Sequence, residues 1–264
     1  MRRVSIALLW CLSVSSLLGQ IYPHFSESTF EKSLHNDLAW LPVVLKSRDV
    51  PDFPERASAA DLEDLQAPGK AIKEMQKAEK EVRKNRIEPA IKYLQTAVEI
   101  HPKYSKAYVN MAVLHLRLSQ ITEAETALRK AVEANDANLA AKQSLGYFCL
   151  AVNRPNDALP TLRTALSQDP ANARSAYYLG EALFRLGQKE EAEEHLRKAV
   201  ETDGSLYFAA YRLATLCAGR GLYREALVLV RGIEKLQHPG IPDENLQQLS
   251  AALQTELQKR EPQP

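Results

Sequence analysis

The sequence predicts an all-α protein, an α-solenoid of about five helix-turn-helix repeats closed by a C-terminal capping helix. An alanine recurs every 34 residues, and an apolar residue stands four positions after each alanine. A 34-residue period with helical spacing is typical of stacked helix pairs, which offer a surface for other molecules and have no inherent reaction chemistry. The alanines are Ala90, Ala124, Ala158, Ala192 and Ala226, and the apolar residues are Leu94, Leu128, Leu162, Leu196 and Val230.

The composition excludes a chain that is disordered throughout and argues against a nucleic-acid partner. Of the 264 residues, 45% are hydrophobic and 25% are charged, as in a globular protein with a sizeable core. The 34 basic residues nearly balance the 33 acidic residues, so the net charge is only +1. Because phosphate binding needs an excess of positive charge, we expect no nucleic-acid partner.

Residues 1–19 have the pattern of a secretory signal peptide. Arg2 and Arg3 precede an apolar run of 15 residues from Val4 to Leu18. This run is short for a membrane-spanning helix, which needs about 20 residues. The pattern therefore predicts cleavage and a periplasmic or secreted protein. The alternative is an uncleaved anchor, and in that case the protein contacts a membrane only through this N-terminal segment.

Residues 20–70 form an N-terminal segment of different composition, with prolines at positions 23, 42, 51, 54 and 68. We predict a short helix from about 28 to 41, a linker over 43–57 and a brief helix over 58–66. The first of these helices either packs on the first repeat as a cap or docks on a membrane or partner. Its apolar face consists of Phe30, Leu34, Leu38 and Leu41.

Residues 71–240 divide into five units, each with two amphipathic helices: 71–104, 105–138, 139–172, 173–206 and 207–240. Positions eight and twenty of every unit hold small residues, so the two helices can approach closely. Pro160 lies inside the second helix of the third unit, where we expect a local irregularity. Position fifteen separates the helices, and four of its five residues favour a left-handed turn: Asn85, Ser119, Asn153, Gly187 and Gly221.

The stack needs a cover for its last apolar face, and residues 241–259 provide a candidate. Four leucines recur there at helical spacing with glutamines between them, which predicts a capping helix from Asp243 to Lys259. Residues 260–264 form a tail. The leucines are Leu246, Leu249, Leu253 and Leu257.

These units resemble the tetratricopeptide repeat (TPR) over residues 71–240. The shared features are the small residues at positions eight and twenty, the apolar residue at twenty-four, a terminal proline and an alanine at twenty-seven. The first unit departs from the pattern, because Lys77 and Glu81 replace apolar residues, and we expect it to be loose or to act as a cap. The resemblance implies a right-handed superhelix in which the first helix of each unit lines a concave groove.

The resemblance also implies which side chains line that groove, at positions two, five, nine and thirteen of each unit. Aromatic residues and arginines anchor peptides well, because they combine large rigid surfaces with directional donors. The alternative is that several of the rings pack between neighbouring helices. The candidate peptide-binding residues are Arg117, Gln143, Tyr147, Arg174, Tyr177, Glu181, Arg185, Phe208 and Tyr211.

No motif for catalysis, cofactor binding or metal binding is present. The six histidines include no His-Glu-x-x-His pair, and the sequence has no glycine-rich phosphate loop. Glu191 and His195 are four residues apart, which we interpret as a surface ion pair. Cys149 and Cys217 are two repeats apart, too far for a disulfide, and we expect two buried thiols. The carboxylate clamp of chaperone-binding TPR proteins is absent, since only Asn110 fits it.

The sequence therefore predicts a non-enzymatic scaffold that binds a protein or peptide in the groove, with no cofactor and no small-molecule substrate. It resembles exported bacterial TPR proteins of the cell envelope. The alternative function is a membrane-tethered structural or assembly protein, held by an uncleaved N-terminal segment.

Overall fold

The computed structural model describes residues 66–236 and 241–260, in which eleven helices and no strands occur. This confirms the predicted all-α solenoid. Five helix pairs are followed by a single long helix. In chain order the helices are α1 (Gly69–Arg83), α2 (Ile87–Ile100), α3 (Ser105–Arg117), α4 (Ile121–Ala134), α5 (Leu139–Ala151), α6 (Pro155–Gln168), α7 (Ala173–Arg185), α8 (Lys189–Thr202), α9 (Tyr207–Gly219), α10 (Tyr223–Glu234) and α11 (Asp243–Arg260).

The pairs stack in chain order. Each first helix packs on its own second helix, and each second helix packs on the first helix of the next pair. Successive first helices also touch directly, α3 with α5, α5 with α7, and α7 with α9. We call α1, α3, α5, α7 and α9 the first-helix layer. Because these helices are neighbours, their exposed side chains form one continuous surface.

The turn inside each pair has the same backbone geometry. Asn85, Ser119 and Asn153 adopt positive φ angles of 57° to 60°, and Gly187 and Gly221 adopt 78° and 77°. The residue after each of them donates its N–H to the carbonyl five residues earlier, at 2.7 to 3.0 Å. This hydrogen bond is typical of a helix ended by a left-handed residue, so the prediction for position fifteen is confirmed.

The helices of a pair are in tight contact where position eight meets position twenty-four. A Cβ atom added to Gly146 would lie 2.4 Å from Cδ2 of Leu162, and one added to Gly180 would lie 2.7 Å from Cγ of Leu196. Both leucines are completely buried. The small residues therefore permit the close packing that the sequence predicts.

The two ends of the stack carry polar residues on their outer faces. On the first pair, Lys77 forms an ion pair with Glu74 at 2.7 Å, and Glu81 forms one with Lys84 at 2.7 Å. Position seven, where the first unit has Lys77, is apolar in all later units, and position eleven, where it has Glu81, is apolar in the last three, so the first pair has a more polar face than the others. At the other end, α11 buries Leu246 and Leu253 and exposes mainly polar residues.

Two details differ from the sequence-based expectations. Helix α11 includes Arg260, which we expected in the tail, because its guanidinium stacks 4.6 Å over the Tyr223 ring. The irregularity expected at Pro160 is confined to the first turn of α6, where the Asp157 N–H donates to the Arg154 carbonyl three residues back. The helix is otherwise continuous, and the carbonyl left without a donor by Pro160 belongs to Asn156, which is exposed and can bond water.

A buried lysine stabilises the loop between the second and third pairs. Lys142 is buried, and its Nζ atom donates to the Asp136 carbonyl at 2.5 Å and lies 2.8 Å from Oδ1 of the same residue. Asp136 occupies the position at which the first and third units have Pro102 and Pro170. The ion pair therefore replaces a proline in holding this loop.

We expect Lys142→Met to lower the free energy of unfolding by about 1 kcal/mol, because it keeps an apolar stem but removes one hydrogen-bonded charge. Gln168 still donates to the Asp136 carbonyl at 2.9 Å, which limits the loss. Urea denaturation measures the change. Lys130→Met, at an exposed position of α4, is the control and should have little effect. Equal effects of the two substitutions would contradict the stabilising role of Lys142.

Several predictions concern residues outside the described ranges. They are the leader over 1–19, the helix over 28–41, the linker over 43–57, most of the helix over 58–66, the end of the fifth unit over 237–240, and the tail over 261–264. Among the helices that are described, none has both the length and the apolar character needed to cross a bilayer.

Candidate functional site

At position five, the first-helix layer is accessible only in its last two units. At position five, the first three units have buried side chains, Met75, Val109 and Gln143. The fourth and fifth units instead have Tyr177 and Tyr211 there, and both are half-buried. The part of the layer that can contact a partner through position five is therefore on α7 and α9.

Two of the predicted groove residues are used inside the stack. Gln143 is buried, and its Nε2 atom donates to Asn172 Oδ1 at 2.7 Å and to Ser175 Oγ at 2.8 Å. Its amide therefore links the third unit to the start of the fourth. Arg117 is half-buried and donates from Nη2 to Asn85 Oδ1 at 2.9 Å, which ties α3 to the turn of the first pair.

Glu181 is the centre of a charged cluster that joins three consecutive units. It is only 4% exposed. Arg212 on α9 donates to it from Nε at 2.7 Å and from Nη2 at 3.1 Å, and Arg185 on α7 donates from Nε at 2.7 Å. Arg185 also donates from Nη1 to the Leu150 carbonyl near the end of α5, at 2.7 Å. The cluster thus fixes the relative positions of α5, α7 and α9.

The cluster has one more positive charge than it has negative charges. Burial by itself would raise the pKa of Glu181, but Arg212 and Arg185 outweigh burial and hold that pKa below its usual value. Glu181 is therefore ionised at neutral pH, and two guanidinium groups share one carboxylate. Arg212 is further placed by the ring of Phe184, whose centroid lies 4.5 Å from the guanidinium carbon.

Three tyrosines lie beside this cluster. The ring centroids of Tyr147 and Tyr178 are 5.4 Å apart, and those of Tyr177 and Tyr178 are 5.3 Å apart. Burial raises the pKa of all three phenols, so each hydroxyl stays protonated at physiological pH. All three side chains are nonetheless partly accessible. They provide aromatic surface and hydroxyl groups next to the excess positive charge.

Tyr178 and Arg212 were not among the residues predicted to line the groove, and both stand at position six of their units. In the structure, position six of one unit contacts position nine of the unit before it. Tyr178 meets Tyr147 in this way, and Arg212 meets Glu181. The contact between position six and position nine of the preceding unit follows from the 34-residue period. The groove positions taken from the resembled family did not include position six, so these two residues were not predicted.

The remaining candidates, Arg174, Phe208 and Tyr211, lie at the accessible side of α7 and α9. Phe208 is 36% exposed and packs against Tyr207 with ring centroids 4.6 Å apart. Arg174 is half-buried, and no described residue forms a hydrogen bond or ion pair with its side chain. Its charge acts on the Tyr178 phenol, where it opposes the rise in pKa that burial causes. We call Tyr147, Arg174, Tyr177, Tyr178, Arg185, Phe208 and Tyr211 the Arg–Tyr surface.

The described residues contain no group of three or more side chains that could hold a metal ion. The Glu191 and His195 side chains are 4.0 Å apart, and Glu191 also forms an ion pair with Arg163 at 2.7 Å. Cys149 and Cys217 are buried free thiols, as expected, and burial raises the pKa of Cys217 to about 11. A thiol with that pKa is a poor nucleophile at neutral pH.

Consecutive helix pairs with a continuous layer of first helices define a helical repeat protein that acts as a protein-interaction scaffold. Two family models, both described as tetratricopeptide repeat, match residues 81–145 and 150–206. The chain is a TPR protein. Comparison with curated proteins gave no significant match.

Solved TPR structures share this fold at low sequence identity. YrrB, described as a TPR protein with an unusual peptide-binding site, is 21% identical with a TM-score of 0.56, over 76% of this chain and 100% of YrrB. MamA from Desulfovibrio magneticus RS-1 is 22% identical with a TM-score of 0.57, over 64% and 96%. PilW, described as a type IV pilus biogenesis factor, is 20% identical with a TM-score of 0.57, over 74% and 94%.

Proposed function

We propose that this TPR protein binds a peptide, or an extended segment of a partner protein, on the Arg–Tyr surface and catalyses no reaction. The observation that carries the proposal is the accessibility of aromatic side chains on α7 and α9. Phe208 is exposed, and Tyr177 and Tyr211 are half-buried, whereas other large side chains of the stack are fully buried. Aromatic side chains beside arginines are typical of the anchors at protein interfaces.

We expect Phe208→Ala to weaken peptide binding about tenfold, because a central aromatic anchor contributes more than 1 kcal/mol to binding. The probes are peptides selected on the wild-type protein from a random 12-residue phage library, and fluorescence anisotropy measures their affinity. Tyr211→Ala should weaken the same peptides. Thermal unfolding checks that both variants keep their fold.

The matched control is Val228→Ala. Val228 is 70% exposed on α10, outside the first-helix layer, so its loss removes apolar surface without touching the proposed site. The control variant should bind the selected peptides within twofold of the wild-type affinity. If Phe208→Ala and Tyr211→Ala also bind like the wild type, peptides do not use this surface and the proposal fails.

We further propose that the protein acts in the bacterial cell envelope or outside the cell, after export by the leader over residues 1–19. This proposal rests on the basic and apolar pattern of those residues. If the leader stays uncleaved, the protein is a membrane-tethered assembly component. Mass spectrometry of the N-terminus of the natural protein distinguishes the two, since cleavage removes about 19 residues. A mature chain that begins at Met1 and is released without detergent would contradict both.

A further inference from the structure

The net charge of +1 conceals a separation of charge between the two sets of helices. On α3, α5, α7 and α9 the only carboxylate is that of Glu181, and Glu181 is buried. Their partners α4, α6, α8 and α10 carry eleven carboxylates and eight basic side chains. From the second unit onward, the first helices as a set therefore carry a net positive charge and the second helices a net negative charge. The six basic residues of the four first helices are Lys106, Arg117, Lys142, Arg174, Arg185 and Arg212.

Arg185 keeps unused donors at the surface of this layer. A guanidinium group has five N–H donors. Arg185 uses Nε for Glu181 and Nη1 for the Leu150 carbonyl, and no described residue accepts from Nη2. Its side chain retains 24% of its exposure, so this edge can reach a ligand. The internal bonds also hold the guanidinium in place, which lowers the entropy lost when an anion binds.

Arg174 supplies a second positive charge on the same helix. It is half-buried, so part of its side chain is accessible, and it has no acceptor among the described residues. Tyr177 and Tyr178 lie between the two arginines in the sequence of α7. Their rings are partly accessible, and their hydroxyl groups are protonated. The surface thus combines two available guanidinium groups with an aromatic platform.

We propose that the Arg–Tyr surface selects an acidic protein segment, whose carboxylates bind Arg174 and the free edge of Arg185 while an apolar residue packs on the tyrosines. This inference rests on the proposed function and names the chemistry of its partner. A protein segment fits better than nucleic acid, because the isoelectric point of the whole chain is about 7.7 and its second helices are negative. Domains that bind nucleic acid by charge typically have values above about 9.

The test uses the same phage library. We expect Asp and Glu to be enriched among the selected peptides, and the tightest peptide to lose about tenfold in affinity when its carboxylates are replaced by Asn and Gln. The difference should shrink between 0.05 and 0.3 M NaCl, because salt screens exposed charges over about 10 Å. Oligo-dT of 12 nucleotides serves as a polyanion without carboxylates and should bind at least tenfold more weakly than the peptide.

Arg174→Glu should weaken the acidic peptide about tenfold. Lys130→Glu is the matched control, because it changes the charge equally at an exposed position of α4 and should stay within twofold of the wild type. Equal losses in both variants would show a general field and overturn the proposed site. Oligo-dT that binds as tightly as the peptide and is lost in Arg174→Glu would instead indicate a nucleic-acid surface.

The two proposals fail in different ways. If selected peptides lack acidic residues and bind Arg174→Glu normally, but lose affinity with Phe208→Ala, the surface binds peptides without selecting acidic ones. If Phe208→Ala, Tyr211→Ala and Arg174→Glu all bind like the wild type, the surface does not bind peptides at all, and the proposed function fails together with the inference.

Discussion

Glu181→Gln should lower the free energy of unfolding by about 3 kcal/mol. The substitution keeps the size and shape of the side chain but removes the carboxylate that Arg185 and Arg212 share inside the stack. Two guanidinium groups then lack a counter-charge in a poorly solvated place. The value is at the lower end for breaking a buried ion pair, because both arginines keep some contact with water. Denaturant unfolding monitored by circular dichroism measures it.

Glu193→Gln provides the matched control on the same chain. Glu193 also lies between two arginines, Arg197 and Arg220, but their side chains are 39% and 54% exposed. Although Glu193 itself is only 8% exposed, water screens the charges of its exposed partners, so we expect these pairs to contribute at most about 1 kcal/mol. A loss for Glu193→Gln as large as that for Glu181→Gln would show that burial of the cluster on α7 is not what makes it stabilising.

The contribution of Glu181 also predicts a pH dependence with a definite sign. Its pKa is lowered in the folded protein, so its carboxylate stabilises the fold above the unfolded pKa of about 4.3. The contribution is lost as the pH falls through the folded value. The difference in stability between the wild type and Glu181→Gln should therefore be constant from about pH 6 to 8 and shrink below about pH 4. A constant difference down to pH 3 would contradict the assignment.

The repeat architecture could be predicted because the residues at each turn and the 34-residue period both indicate the same arrangement of helix pairs. Left-handed turns follow from Asn and Gly at position fifteen of four units, and the structure shows positive φ there and also at Ser119 in the remaining unit. The capping helix follows from the spacing of leucines after Pro242. Each of these features depends on residues close together in sequence, so a single chain is enough to recognise it.

The state of the groove residues could not be predicted in the same way, because it depends on contacts between units. Nothing near Glu181 in sequence shows that Arg212, 31 residues later, binds it. Gln143 similarly finds its acceptors 29 and 32 residues away, on Asn172 and Ser175. A helical face alone cannot show whether a polar side chain on it is free for a partner or already bonded to the next repeat.

Gly146→Val should lower the free energy of unfolding by about 3 kcal/mol, at the upper end of the cost of overpacking a core. The added Cβ would lie 2.4 and 2.5 Å from Cδ2 and Cγ of Leu162, and two further methyl groups would follow it. Leu162 is completely buried between α5 and α6, so it has no free space to enter. The helices must therefore separate, which also disturbs the position of Tyr147 on α5. Thermal and urea unfolding measure the loss.

Leu162→Ala should rescue this variant, although alone it costs about 2 to 5 kcal/mol by leaving a cavity. The double variant has a larger residue at position eight and a smaller one at position twenty-four, so the total volume at the contact changes little. The fifth unit has a similar combination, with Ala214 at position eight and Val230, which is smaller than leucine, at position twenty-four, and both are completely buried. We therefore expect the double variant to be more stable than either single variant. Gly232→Val on α10 is the control, because an added Cβ meets nothing within 4 Å, and it should change stability by less than about 0.5 kcal/mol. If the losses at Gly146 and Leu162 simply add, the contact between positions eight and twenty-four does not set the spacing of the helices.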